Sequence, residues 1–185
     1  MPGPDEIGRQ VRNVIRVSQE AGERGDGPYG GTLVDDAGTV LFERGNTEVT
    51  TVDPTAHAET NLVRDVIRAG HAERLRDCIL YASTEPCSMC CRVMYQAGVR
   101  RVVYANRGQP PPRPAPPGSL PMLDLPPIHE VLSTGNSHQC VVIFAGEEME
   151  QLARQVVQRF EDAPGRLLPR SSSDQGSGGQ KQFRL

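Results

Sequence analysis

Hydrophobic residues recur along this chain with two spacings, one typical of helices and one typical of buried strands. Apolar residues three or four positions apart predict amphipathic helices from Asp5 to Ala21 and from Glu147 to Phe160. Short, nearly continuous apolar runs predict strands at Cys78–Ala82, Arg101–Ala105 and Cys140–Phe144. The chain therefore alternates helices with strands that are buried on both faces.

The remaining elements complete a predicted α/β fold. Thr32–Asp35 and Thr39–Glu43 flank a short turn that contains Gly38, which predicts a β-hairpin. A helix predicted from Cys87 to Ala97 separates two of the buried strands. A strand–helix–strand unit of this length gives a parallel pair with a right-handed crossover. In such sheets ligands bind at the carboxyl ends of the strands.

The helix predicted from Thr55 to Ala69 carries an unusual acidic residue. Asp53 and Pro54 mark its start, since an aspartate oxygen can cap a helix and proline suits its first turn. Its apolar stripe consists of Ala58, Leu62, Val63, Val66 and Ile67. Glu59 falls on this same face, where a carboxylate is costly unless it is paired or bound. Glu59 is therefore a candidate functional residue.

Composition and charge narrow the classes of protein. The chain has 185 residues, which suits one domain, a net charge of −3 and a pI near 5.8. Because nucleic-acid binding relies on cationic side chains, this balance disfavours a nucleic-acid partner. No apolar run approaches the ~20 residues of a membrane span. The first residues also lack the features of a signal peptide, so we expect a soluble, cytoplasmic protein without a membrane partner.

Two stretches of biased composition lie outside the predicted elements. Residues 109–127 are rich in proline and are expected to form an extended loop, which either covers a site or bridges two elements. Residues 164–185 are rich in Ser, Gly and Gln, so we expect a disordered tail. The expected organisation is one domain over residues 1–163, including the Pro-rich loop, followed by this tail.

The cysteines raise the question of metal binding. Five cysteines without a secretion signal do not look like a disulfide framework. Cys87 and Cys90 lie three positions apart at the start of a predicted helix, so their sulfurs face the same way. Such a pair fits a redox site, half of a structural zinc ribbon, two core cysteines or a catalytic metal site. A ribbon needs a second pair, which is absent, and a redox site explains neither His57 nor Glu59.

His57 alone is most simply a surface or satisfied histidine, but the two cysteines change that interpretation. One imidazole and two thiols form the ligand set of a catalytic zinc site that keeps a fourth position open for water. The segment between His57 and Cys87 is long enough for a helix, a loop and a strand, so two helix starts can meet above one sheet. Residues two apart within a helix point in nearly opposite directions. Spacing therefore does not itself bring His57 and Glu59 to one metal.

Two stretches, Asp53–Glu59 and Glu85–Cys90, resemble the H-x-E and P-C-x-x-C signature of the cytidine deaminase superfamily. The resemblance extends from Gly30 to Ala105. It points to the branch that holds guanine deaminases, yeast-type cytosine deaminases and tRNA adenosine deaminases. The resemblance implies a three-layer α/β/α fold with a five-stranded mixed sheet, usually assembled as a dimer or a larger oligomer. We therefore expect a homodimer.

The resemblance also implies a cofactor and a reaction. Zn²⁺ bound by His57, Cys87 and Cys90 would lower the pKa of a bound water. Glu59 would take a proton from this water and return it to the ring nitrogen and the departing amine. Ammonia then leaves and a carbonyl remains.

Contacts with the substrate are implied at further positions. The family's counterpart of Asn46 hydrogen-bonds the bound base, whereas the alternative role of Asn46 is that of a turn residue after Gly45. The backbone around Ala58, Glu85 and Cys87 is expected to contact the base or the zinc-bound oxygen.

The expected substrates are water and a free nucleobase, guanine first and then cytosine or an aminotriazine. tRNA adenosine deaminases typically carry an Ala-Arg-Asp-x-Lys-x-Gly-Ala-like loop, whereas residues 104–110 here read Tyr-Ala-Asn-Arg-Gly-Gln-Pro. This difference and the acidic balance disfavour tRNA adenosine-to-inosine deamination, which stays an alternative. A further alternative is a non-catalytic zinc-binding subunit. Such subunits often lack the proton carrier, which this chain keeps at Glu59.

Overall fold

The computed structural model describes residues 2–107, 128 and 140–163. These residues form, in chain order, α1 (Pro4–Glu23), β1 (Gly30–Val34), β2 (Val40–Gly45), α2 (Ala58–Arg68), α3 (Arg74–Asp77), β3 (Ile79–Thr84), α4 (Ser88–Ala97), β4 (Arg101–Asn106), β5 (Val141–Phe144) and α5 (Glu147–Glu161). The Pro-rich residues 109–127 and the tail at 164–185 lie outside the described residues, so the expectations for both stay predictions. Among the described residues, no helix has both the length and the hydrophobicity of a transmembrane segment.

The strands form one mixed sheet in the order β2-β1-β3-β4-β5. β1 pairs antiparallel with both β2 and β3, whereas β3, β4 and β5 run parallel. Helices α1 and α5 cover one face of this sheet, and α2 and α4 cover the other. The predicted three-layer α/β/α fold with a five-stranded mixed sheet is therefore confirmed.

Strand β3 lies at the centre of the sheet and is buried on both faces. Leu80 packs with Leu62 in the apolar cluster beneath α2 and α4. Its neighbour Tyr81 points the opposite way and packs with Val14 beneath α1. Alternate residues of a strand face opposite sides, so each side chain of β3 contributes to one core or the other. Burying a Leu or Val side chain stabilises a fold by about 1.5–3 kcal/mol, which holds this strand firmly in place.

Gly30 lets α1 lie directly against the start of β1. A Cβ atom at this position would lie 2.6 Å from the Val14 carbonyl oxygen and 2.7 Å from the Ser18 nitrogen. The Gly30 N–H donates a 2.9 Å hydrogen bond to Ser83 Oγ, which joins β1 to the carboxyl end of β3. This edge of the sheet carries the candidate site.

Helix α2 begins three residues later than the sequence predicted. The Asp53 carboxylate accepts hydrogen bonds from the Thr55 N–H and hydroxyl, so it closes a turn instead of capping the helix. His57 is the N-cap residue, with an extended backbone. Ile67 was expected on the buried stripe but is 47% exposed. The face that packs on the sheet is centred on Val66, and Ile67 lies about 100° further round the helix.

Candidate active site

Three metal-binding side chains converge just beyond the carboxyl end of β3. The Nδ1 atom of His57 and the Sγ atoms of Cys87 and Cys90 all lie within 4.8 Å of one another. Nδ1 is 3.6 Å from Cys87 Sγ and 3.5 Å from Cys90 Sγ. A tetrahedral zinc with bonds of about 2.3 Å to sulfur and 2.0–2.1 Å to nitrogen places such atoms about 3.5–3.6 Å apart. The donor set therefore fits Zn²⁺, with one of four positions left over.

The convergence depends on where two helices begin. His57 is the N-cap of α2 and Cys87 is the N-cap of α4, and both residues have an extended backbone, with φ −68° and ψ 154° in the first and φ −69° and ψ 167° in the second. Cys90 lies one turn into α4, on the same side as Cys87. Because His57 precedes the helix, its two-residue spacing from Glu59 does not turn the two side chains apart.

Asn61 holds the loop that leads to His57. Its Nδ2 atom lies 3.2 Å from the Gly45 carbonyl oxygen, 3.0 Å from Thr47 Oγ1 and 3.0 Å from the Ala56 carbonyl oxygen. Asn61 lies off the apolar stripe of α2, so helical periodicity alone predicts an exposed side chain. The structure shows a half-buried side chain that ties the end of β2 to the start of α2. No signal in the sequence reveals this role, since an exposed asparagine has the same periodicity.

Asp26 anchors the same loop from the opposite side. Its fully buried carboxylate accepts hydrogen bonds from the N–H groups of Val49 and Thr50 and from the Thr50 hydroxyl. Asp26 lies in a stretch rich in Gly and Pro, residues 25–31, which by itself predicts only a turn. A buried carboxylate satisfied by backbone donors is well suited to hold a loop in one conformation.

A cavity of about 230 Å³ lies beside the three donor atoms, lined by Tyr29, Asn46, His57, Glu59, Thr84, Glu85 and Cys87. It brings the expected proton carrier, the expected base contact and two of the expected metal ligands around one space. Ala58 begins α2 beside His57 but does not line the cavity. Among the described residues, no lysine or arginine lines it.

Glu59 is buried beside the donor atoms. The residue is only 6% exposed to solvent. Removal from water raises the pKa of the Glu59 carboxyl, because burial disfavours the charged form. A carboxyl group with a raised pKa, held at the wall of a cavity, suits transfer of a proton to and from a bound molecule.

The thiols and the imidazole polarise one another. The hydrogen bond from Cys90 lowers the pKa of the Cys87 thiol, and His57 acts in the same direction. The hydrogen bond with Cys87 in turn raises the pKa of His57 to about 9. The pKa of the Cys90 thiol is raised by its hydrogen bond with Cys87 and by burial. A metal cation competes with these protons, because it binds the thiolates and the neutral imidazole.

Asn46 and Glu85, the residues expected to contact the substrate, differ in their burial and in their hydrogen bonds within the protein. Asn46 directly follows β2, as predicted, and is 1% exposed. The Glu85 N–H donates a 2.7 Å hydrogen bond to the Asn106 carbonyl oxygen, and the Glu85 carboxylate accepts one of 2.9 Å from the Ile128 N–H. Its carbonyl oxygen is therefore the group that the expected backbone contact would use.

Comparison with known families agrees with this geometry. Residues 6–106 match the model of the cytidine and deoxycytidylate deaminase zinc-binding region. The chain belongs to this deaminase family. The zinc-binding region of the family contains the histidine and both cysteines whose donor atoms have the spacing of a zinc site, so Zn²⁺ is the cofactor of this deaminase-family protein.

Curated relatives of this deaminase-family protein have three kinds of substrate in their names. The chain is 38% identical over 94 residues to the probable cytosine deaminase of Schizosaccharomyces pombe, covering 51% of this chain and 56% of that protein. It is 44% identical over 79 residues to the guanine deaminase of Bacillus subtilis, covering 43% and 50%. It is 32% identical over 96 residues to the tRNA-specific adenosine deaminase of Haemophilus influenzae, covering 52% and 56%. The chain thus spans about half the length of these relatives.

Structural similarity to solved proteins covers more of the chain than the sequence similarity to the curated relatives does. A solved structure of guanine deaminase from Nitrosomonas europaea superposes with a TM-score of 0.64 over 83% of each chain. The two sequences are only 18% identical, so this similarity concerns the fold alone.

Proposed function

We propose that this chain is a zinc-dependent hydrolytic deaminase that acts on a free nucleobase, with guanine as the favoured substrate and cytosine or an aminotriazine as further candidates. The observation that supports this proposal best is the position of Glu59. Its carboxyl group is buried at the wall of the same cavity that His57 and Cys87 line. A structural zinc site has no need of such a group.

The proposed reaction replaces an exocyclic amine with a carbonyl. His57, Cys87 and Cys90 would hold the metal, whose Lewis acidity activates water as a nucleophile. As the carbon–oxygen bond forms, Glu59 accepts one proton from the water and delivers it to the ring nitrogen. Glu59 then carries the second proton of that water, from the new hydroxyl group, to the amine. The carbon–nitrogen bond breaks, ammonia leaves and a carbonyl remains.

The cavity favours a small and uncharged substrate. Its volume of about 230 Å³ lies below the roughly 300–1,000 Å³ typical of drug-sized ligands. Its described lining carries the carboxyl groups of Glu59 and Glu85 but no arginine or lysine. The Glu85 carboxylate would repel a phosphate group, and the described lining offers that group no arginine or lysine as a partner. A free base avoids this cost.

Two features favour guanine among the bases. The stretch Gly27-Pro28-Tyr29-Gly30 and the polar loop before His57 resemble those of guanine deaminases. The chain is also 44% identical over 79 residues to the guanine deaminase of Bacillus subtilis. Asn46 supports recognition of a base, because an amide can donate and accept hydrogen bonds at a ring edge.

A second candidate function is deamination of adenosine in tRNA. The 32% identity to the tRNA-specific adenosine deaminase of Haemophilus influenzae covers a similar share of the chain and supports this alternative. A non-catalytic zinc-binding subunit is a third candidate, and Glu59 argues against it.

A screen for ammonia release distinguishes these candidates. The purified chain, loaded with zinc, would be given guanine, cytosine, adenine, isoguanine, ammeline and the corresponding nucleosides, with an inosine assay on tRNA in parallel. We expect ammonia from guanine or a second free base and no inosine in tRNA. Inosine in tRNA without turnover of a free base would favour the second candidate. Zinc binding without any turnover would favour the third.

We also expect a homodimer, which sedimentation analysis would test.

A further inference from the structure

Glu48 does not line the cavity, yet it contacts two residues of the site at once. Its Oε1 atom lies 3.5 Å from Nε2 of His57. Its Oε2 atom accepts a 2.5 Å hydrogen bond from Nδ2 of Asn46. The Glu48 backbone N–H donates a 2.9 Å hydrogen bond to Oδ1 of the same asparagine. One carboxylate therefore stands between a metal ligand and the expected base contact.

The contact with His57 concerns the ring nitrogen that faces away from the metal position. Nδ1 faces the two sulfurs, so when it binds a metal the ring proton resides on Nε2. A carboxylate beside this N–H fixes the orientation of the ring and increases its basicity as a ligand. The separation of 3.5 Å exceeds a normal hydrogen bond, and both side chains are about one-third exposed, at 30% and 32%. The effect should therefore be at the weak end of its range.

The contact with Asn46 fixes the direction of its amide. Glu48 accepts from the amide nitrogen through its side chain and donates to the amide oxygen through its backbone. Rotating the amide by half a turn would place an oxygen against the carboxylate and an NH₂ group against an N–H. Asn46 therefore keeps one N–H and one oxygen lone pair for the cavity, always on the same sides.

We propose that Glu48 is a positioning residue that aligns His57, as metal ligand, with Asn46, as base contact. The Asn46 part of this inference rests on the proposed function, whereas the His57 part rests only on zinc binding. Each carboxylate oxygen of Glu48 serves one partner. A glutamine has a single acceptor oxygen and can therefore satisfy only one of the two donors.

The test compares Glu48→Gln with the wild-type chain and with Glu73→Gln. Glu73 provides a matched control, because its carboxylate lies 3.8 Å from His71 Nδ1 in an exposed pair, and its replacement removes the same charge. Two quantities are measured: the zinc affinity, by competition with a chelator, and the KM and kcat for guanine at saturating zinc. Thermal unfolding shows that each variant is folded. Glu48→Asp, which keeps the charge but is shorter, provides a second variant.

We expect Glu48→Gln to bind zinc about 10-fold more weakly, the lower end of the effect of such partners. The KM for guanine should rise several-fold while kcat stays within about 2-fold, because Asn46 would be misoriented but Glu59 would be intact. Glu48→Asp should show the same defects to a smaller degree, and Glu73→Gln should show neither. Wild-type zinc affinity in Glu48→Gln, or a wild-type KM, would overturn the proposal. A wild-type chain inactive on every base would instead refute the proposed function, and the zinc comparison would still decide the role of Glu48 toward His57.

Discussion

His57 and Cys87 occupy equivalent positions, each as the N-cap of a helix, and His57 Nδ1 lies 3.6 Å from Cys87 Sγ. Their extended backbones direct one imidazole and one thiol from two helix starts toward the same point. Cys90 completes the group from the first turn of α4. The metal centre is thus a product of two helix starts at one edge of the sheet.

Replacing a ligand should remove the metal. We expect His57→Ala and Cys87→Ser to lose at least about 100-fold in zinc affinity, more than the loss of a supporting partner would cost. Metal content per chain after dialysis measures this effect. Cys140→Ser is a suitable control, because this half-buried cysteine lies outside the group and its Sγ is 3.9 Å from the Val99 carbonyl oxygen. Zinc retained in both ligand variants would contradict the site.

The sequence predicted this donor set but not its convergence with Glu59. The turn closed by Asp53 delays the start of α2, so His57 stays outside the helix and Glu59 lies within it. Helical geometry applied to both residues would have turned them apart. Local pattern identified the residue types, and the position of a single turn decided how they meet.

Loss of Asp26 should destabilise the loop that carries the site. Asp26→Ala leaves the N–H groups of Val49 and Thr50 without their acceptor, so the free energy of unfolding should fall by about 2–3 kcal/mol. Urea denaturation at neutral pH measures this change. Asp53→Ala, at an exposed turn, should cost less. A change below about 0.5 kcal/mol for Asp26→Ala would show that the loop does not depend on this carboxylate.

Glu150 should make the free energy of unfolding depend on pH in the acidic range. Hydrogen bonds from Arg107 and Arg154 lower the pKa of the Glu150 carboxyl to about 2. A depressed folded-state pKa contributes stability above the ordinary value near 4.5, and this contribution is lost as the pH falls toward 2. Since both arginines are about half exposed, we expect Glu150→Gln to cost about 1 kcal/mol at pH 7.

Denaturation of the wild type and Glu150→Gln at several pH values tests this expectation. The difference between the two proteins should shrink steadily below pH 4.5. A difference that stays constant down to pH 3 would contradict a role for the charge.

The roles of Asn61 and Glu48 could not be predicted from the sequence for a different reason. Both are polar residues at positions where exposure is the simplest interpretation. Their partners are brought to them only when the loop between β2 and α2 folds back over the end of the sheet. Hydrophobic periodicity describes which face of a helix or strand is buried, but it contains no information about the path of a loop. The three layers of the fold follow from the buried faces of the helices and strands. The residues that support the site depend instead on the path of the loop.

The most direct test of the proposed enzyme is the rate of ammonia release from guanine by the wild type and by Glu59→Gln at equal zinc content. General acid–base groups contribute about 10²–10⁴-fold, so the variant should retain zinc and lose at least about 100-fold in kcat. Glu43→Gln, which removes an exposed carboxylate paired with Arg16, should behave as the wild type. Turnover by Glu59→Gln at the wild-type rate would contradict the assignment of Glu59 as the proton carrier.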